Sequence, residues 1–199
     1  MNKEILKKAF ENSNSFNDYY KITVENHNSV NPDTLDDTGK ERYEITKLNI
    51  HRMERILKTY NPGKEIVDSV NKVTEPQRWL FLTEEWCGDS AQTLPYISKI
   101  ISLNENIKIG FLERDENPEI MDMYLTNGSR SIPKLIAFDE NFNELFQWGP
   151  RPKEGQELVA RLKAEGFSKQ EFNEKLHLWY GRNRGKAIEN DFIRIFSGL

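Results

Sequence analysis

A single cysteine, three histidines, no apolar run long enough to span a bilayer and no excess of basic charge are the first features of this 199-residue chain. One cysteine cannot close an internal disulfide, so the chain is not a disulfide-stapled scaffold of an oxidising compartment. His27, His51 and His177 lie far apart and lack the spacing of metal ligands. A net charge of -4 gives no electrostatic footprint for nucleic acid. The one basic cluster, Arg182-Asn183-Arg184-Gly185-Lys186, reads as a solvated turn. No hydrophobic signal core follows Met1-Asn2-Lys3-Glu4, and no segment approaches the roughly 18 apolar residues of a membrane span. The expectation is a cytoplasmic protein with neither nucleic acid nor membrane among its partners.

What is present is enough apolar material for a core. Hydrophobic residues make up 37% of the chain and charged residues 30%, the balance of a solvated globular protein. The length predicts one core with helical additions, at about one domain per 150 residues. Ile5, Leu6, Ala9 and Phe10 form a short helical stripe, and the Asn-, Asp- and Ser-rich stretch from Val24 to Asp37 predicts a loop. Thr38 and Glu41 have capping-box spacing ahead of a helix that carries Ile45, Leu48, Met53, Ile56 and Leu57 and stops at Asn61-Pro62-Gly63.

The middle alternates strands and helices, the pattern of an α/β domain. Trp79 to Thr83 reads as a buried strand, followed by a helix from Cys87 that carries Leu94, Ile97, Ile100 and Ile101, with Pro95 placed to kink it. Ile107 to Leu112 is the next strand; Asn117 and Pro118 open a short helix to Tyr124 or Leu125. Lys134 to Phe138 and Glu144 to Trp148 form a hairpin, and Lys153 to Ala164 a closing helix. Two helices follow. Ser168 and Glu171 form a capping box for the first, with Phe167 and Phe172 in staple positions, and the second carries Ile188, Phe192, Ile195 and Phe196 on one face.

Chemistry concentrates at Cys87. It follows a strand and a short Glu84-Glu85-Trp86 connection and starts a helix, where free N–H groups and the helix dipole favour a thiolate. Gly88 lets a partner approach, and Ser90 can donate a hydrogen bond to the sulfur. Glu84, Glu85 and Asp89 act in the opposite direction, because nearby negative charge disfavours the thiolate. Asp89 reads as a helix-start residue rather than a catalytic acid.

Trp86-Cys87-Gly88-Asp89-Ser90 after an apolar strand resembles the Trp-Cys-Gly-X-Cys motif of the thioredoxin family, with Ser90 in place of the second cysteine. Arg130-Ser131-Ile132-Pro133-Lys134-Leu135 is similar to the segment in which the family carries a cis Ile-Pro bond facing the cysteine, and Gly149 stands where the family usually has glycine. The resemblance covers about Glu75 to Leu162. It implies a thioredoxin-like α/β fold, with a central mixed sheet flanked by helices, over residues 63–166. Residues 1–62 would form a helical N-terminal extension, and 167–199 a C-terminal helical extension packed on the domain.

The resemblance also implies roles: Cys87 as nucleophile with Ser90 orienting the sulfur, and Trp86, Gly88, Asp89, Ile132, Pro133 and Lys134 as the substrate-docking surface. Three departures matter. Ser90 cannot resolve a mixed disulfide, so release needs an external thiol such as glutathione or another low-molecular-weight thiol as co-substrate. Phe81 stands where thioredoxins carry a buried Asp, and Lys134 follows the proline where the family often has Thr, its ammonium expected to favour the thiolate. The reading is a thioredoxin-like protein that exchanges disulfides with protein or small-molecule thiols through a Cys87 mixed disulfide, with no resident metal or cofactor. Two rivals stand beside it: a non-enzymatic binding module for partner proteins, and a monothiol-glutaredoxin-like protein that holds an iron–sulfur cluster with glutathione. The substrate, the recycling thiol and the oligomeric state are not encoded in any motif.

Overall fold

Period-two alternation in three strands sets the two-sided architecture of the computed structural model, which describes residues 3–198. The strands are β1 (Gln77–Thr83), β2 (Ile107–Glu113), β3 (Lys134–Asp139) and β4 (Glu144–Trp148), in the order β2-β1-β3-β4. β1 pairs in parallel with β2 and antiparallel with β3, and β3 pairs antiparallel with β4, with a register shift at Ala137/Phe138. The sheet is therefore mixed, and the expected α/β class is observed. Trp79, Phe81, Phe111, Leu135 and Ala137 face one apolar layer, whereas Leu80, Leu82, Leu112, Ile136 and Phe138 face the other. Successive side chains of a strand point to opposite faces, so both sides of the sheet are buried.

Nine α-helices surround the sheet among the described residues: α1 (Lys3–Glu11), α2 (Phe16–Ser29), α3 (Asp37–Thr59), α4 (Lys64–Val70), α5 (Gly88–Ile101), α6 (Pro118–Met123), α7 (Lys153–Ala164), α8 (Lys169–Asn183) and α9 (Lys186–Ser197). Helices α2, α3, α4, α5 and α9 supply the Trp79 layer, and α1 and α6 supply the Leu80 layer. Trp79 is sealed by Phe146, Phe192 and Phe196, the last two stacked on its ring. The N-terminal segment also guards a sheet edge: Asn14 exchanges two backbone hydrogen bonds with Phe111 of β2, at 3.0 and 2.8 Å. An edge strand otherwise offers unpaired groups to other chains.

Several local expectations are corrected. The segment from Val24 to Ser29 is helical, not loop, because α2 runs from Phe16 to Ser29 and buries Phe16, Tyr19 and Thr23. Ser15 caps it by accepting from Asp18 N. Tertiary burial against Phe111 outweighs the weak helix propensity of its Asn and Ser residues. The N-cap of α3 is Asp36, which accepts from Gly39 N at 2.7 Å, so Thr38 lies inside the helix and the Thr38–Glu41 box does not form. Helix α5 continues through Pro95 to Ile101. Asn117 is the N-cap of α6 by position, yet its side chain donates to Glu113 O instead of accepting from the helix. The Ser168–Glu171 capping box is present in full.

Gly149 joins β4 to the segment before α7 and shows why glycine stands there. Its φ is +118°, and a Cβ would come within 2.2 Å of Pro133 O. Only glycine tolerates both the conformation and the approach. The Ile132–Pro133 and Gly149–Pro150 peptides beside it are both cis.

Candidate functional site

Cys87 is the N-cap residue of α5, at the point where the chain leaves the carboxyl end of β1. Its Sγ donates to Ile132 O across 3.6 Å, so the start of α5 and the loop before β3 meet at the sulfur. Trp86, Cys87 and Ile132 belong to one apolar cluster. The Trp86 ring is flanked by two guanidinium groups, Arg114 at 5.1 Å and Arg42 at 5.7 Å from its centre. These contacts hold the indole beside the thiol. Ser90 is buried, and its hydroxyl has no partner other than the Cys87 sulfur.

The sequence expectation of a low thiol pKa is not what this environment produces. Cys87 is 8% exposed. Burial, followed by the nearby Asp89 carboxylate, pushes its thiol up from 9.0 to about 11. The Ser90 hydroxyl and the backbone N–H groups of Ser90 and Asp89 pull the other way without overcoming them. Loss of hydration penalises a thiolate more than one helix turn rewards it.

Asp89 shows the largest difference between local and tertiary reading. Its carboxylate pairs with Arg151 at 2.5 Å and accepts a hydrogen bond from Tyr180 at 2.8 Å. This interaction ties the first turn of α5 to the segment before α7 and to α8. Burial pushes the Asp89 carboxyl up, and Arg151 and Tyr180 counter that. His177, one turn before Tyr180, lies directly over Gly88: a Cβ there would meet the imidazole at 2.7 Å and Arg52 Nη1 at 3.4 Å. Burial, with Arg52 and Arg151 nearby, lowers the His177 pKa to about 4, so the ring is neutral at physiological pH. Glycine at 88 thus admits a covering helix here.

The structure brings Trp86, Cys87, Gly88, Asp89, Ser90, Ile132 and Pro133 to one locality. Lys134 is the exception in its expected role. Its ammonium lies 3.4 Å from Thr126 Oγ1, and Glu144 is the charged group that acts on it. Arg151, His177, Tyr180 and Arg52 were not legible as site residues. Arg151 stands two residues after Gly149, a weak signal; Tyr180, expected to serve packing among the terminal helices, lies 91 residues from Asp89 and carries no local mark. Among the described residues, no three His, Cys, Asp or Glu side chains converge as a metal site, and no helix is long and apolar enough to cross a membrane.

This geometry agrees with comparisons to known proteins. The chain is similar over 97% of its length to a crystallised HIV epitope-scaffold, of which it covers 98%, at 17% identity and a TM-score of 0.65. It is similar over 95% of its length to a Pseudomonas aeruginosa protein of unknown function, of which it covers 95%, at 17% identity and a TM-score of 0.61. Such likenesses carry the fold alone. No curated protein matches the chain. A thioredoxin family model matches residues 38–163, well over half of the sequence and including both the Cys87 segment and the Pro133 loop. The chain belongs to the thioredoxin family.

Proposed function

We propose that the chain performs monothiol thiol–disulfide exchange at Cys87, on protein or low-molecular-weight disulfides. The observation that carries this reading is the placement of the sulfur at the N-cap of α5, 3.6 Å from the carbonyl of Ile132 in the loop before the cis proline. The Cys87 thiol gives its proton to solvent, and the thiolate attacks one sulfur of the entering disulfide. The substrate S–S bond breaks, its other half leaves as a thiolate that takes up a proton, and a Cys87–substrate disulfide forms. A second thiol, glutathione or another low-molecular-weight thiol, then attacks that mixed disulfide, carries the substrate half away as a new disulfide and returns Cys87 to the thiol.

Each neighbouring residue has a part in this scheme. The Ser90 hydroxyl and the N–H groups of Asp89 and Ser90 stabilise the transient thiolate. Trp86, Gly88, Ile132 and Pro133 border the approach to the sulfur, and an extended peptide can pair with the Ile132 backbone. Asp89 acts as an anchor for α8 more than as a substrate contact, since Arg151 and Tyr180 already engage it. With a thiol pushed up to about 11, attack is slow while α8 covers Gly88, and displacement of that helix accelerates it.

A second reading rests on the same burial: a thioredoxin-fold binding module whose thiol no longer reacts. One experiment separates the two. The native chain is incubated with glutathione disulfide or a peptide disulfide, and the adduct on Cys87 is followed by intact mass, with Cys87→Ser as blank. Exchange predicts an adduct on the folded chain that dithiothreitol removes. An adduct that forms only after denaturation would exclude exchange and leave the binding module.

A further inference from the structure

We propose that the cavity between α3, α5 and the α8–α9 junction binds a phosphate group, either free or carried by a small organic molecule. The cavity measures about 670 Å³. It lies at the basic cluster whose sequence suggests only a solvated turn, and it does not include Cys87. The inference is therefore independent of the exchange chemistry.

Arg55 from α3 and Arg184 and Lys186 from the α8–α9 junction line it, facing one carboxylate, Glu189. Among the described residues the guanidinium groups of Arg55 and Arg184 have no ion-pair or hydrogen-bond partner. Glu189 is already engaged: its Oε1 accepts from the Tyr60 hydroxyl at 2.9 Å and from Gly63 N at 3.0 Å, and its Oε2 lies 3.4 Å from Lys186 Nζ. The cavity thus holds excess positive charge with two free planar donors, the side chain best matched to phosphate oxygens.

A second observation points to a ligand. Tyr96 is 6% exposed and lines the cavity, and among the described residues its hydroxyl has no hydrogen-bond partner. Gly185 makes room for the ring, since a Cβ at 185 would fall 2.5 Å from the Tyr96 ring carbons. Burial pushes the phenol up despite Arg55 and Arg184 nearby, so the group is a neutral donor at physiological pH. The hydroxyl itself opens onto the cavity and is not sealed in the core, so it can donate to an acceptor bound there.

The backbone adds to this. Arg184 and Gly185 both take left-handed conformations, with φ of 52° and 87°, and turn the chain so that the twelve-residue α9 begins at the cavity. Ala187 N at that end is already taken by Asn183 Oδ1 at 2.8 Å, so it is the helix dipole there that favours an anion. The volume exceeds that of a phosphate ion. Tyr60 and Tyr96, with ring centres 4.6 Å apart, offer an aromatic wall for an organic group beside it.

The test is isothermal titration of the full chain at low ionic strength with inorganic phosphate, pyrophosphate, ADP and adenosine. Pyrophosphate and ADP are expected to bind, more weakly as salt is raised, and adenosine is not. Arg55→Ala and Arg184→Ala should each weaken binding by about tenfold or more, the effect of losing one charge-assisted contact. Tyr96→Phe keeps the ring and the packing, and should weaken binding several-fold through loss of the hydroxyl alone. ADP binding more tightly than pyrophosphate would identify an organic phosphate as the ligand, and equal affinities a free anion. Failure of every phosphate to bind the folded chain, adenosine binding as tightly as ADP, or affinity unaltered in both arginine variants would overturn the proposal.

Discussion

Replacement of Asp89 by Asn tests the electrostatics around the sulfur. A thiol raised from 9.0 to about 11 has a hundredfold smaller thiolate fraction at pH 7, about 0.01% against about 1%. Burial is the larger cause and survives the substitution; the carboxylate is the next cause and does not. Asp89→Asn also leaves Arg151 without its counter-charge near the same helix turn. Both changes lower the thiol pKa, by about one unit, which is about 1.4 kcal/mol and a tenfold rise in thiolate. The assay is the rate of iodoacetamide alkylation against pH for the wild type and Asp89→Asn, each with Cys87→Ala as blank. Urea-unfolded wild type supplies the unburied reference. The expected midpoint is near 11 for the wild type and about one unit lower for the variant. The broken ion pair costs about 3 kcal/mol of stability, so the comparison is made where circular dichroism reports a folded chain. A wild-type midpoint at or below 9, or an unchanged midpoint in folded Asp89→Asn, would refute the argument.

Other outcomes follow from the same contacts. Because the folded chain holds the Cys87 proton more tightly than the unfolded chain, stability from this group is complete below pH 9 and is lost as pH rises towards 11. That amounts to about 3 kcal/mol, and the urea-measured difference between wild type and Cys87→Ser should change by that much across the window. Gly149→Ala, which forces a side chain into a positive-φ position 2.2 Å from Pro133 O, should cost about 3 kcal/mol or more in urea unfolding. Asp191→Ala strands the buried Trp148 indole N–H and Lys153 N, both 3.0 Å from Asp191 Oδ2; a loss of about 2–3 kcal/mol is expected by thermal or urea unfolding.

Strand and helix order in the α/β part was legible because it rests on local pattern. Trp79 to Leu82 is an unbroken apolar run and Leu135 to Phe138 another, and the structure buries both strands on two faces. The Ser168–Glu171 box was legible because a cap is a contact between residues three apart. The same rule misplaced the start of α3, where Asp36 and Thr38 are both competent caps and packing selects one. It missed the later part of α2, Val24 to Ser29, whose Asn- and Ser-rich run is carried in the helix that docks Phe16 and Tyr19 on Phe111.

The sequence by itself determined the class of fold, the position of Cys87 at a helix start and the absence of a resolving thiol. Each of these is set by residues adjacent in the chain. Tertiary structure alone decided the charge state and access of that thiol, through burial, through Asp89 held by Arg151 and Tyr180, and through His177 laid over Gly88. It alone turned the basic cluster at 182–186 into one wall of a cavity whose other wall comes from α3 and α5. A helix dipole acts on its own first turn and can be read from sequence, whereas desolvation depends on which distant segments pack above the atom, and only the folded chain fixes that.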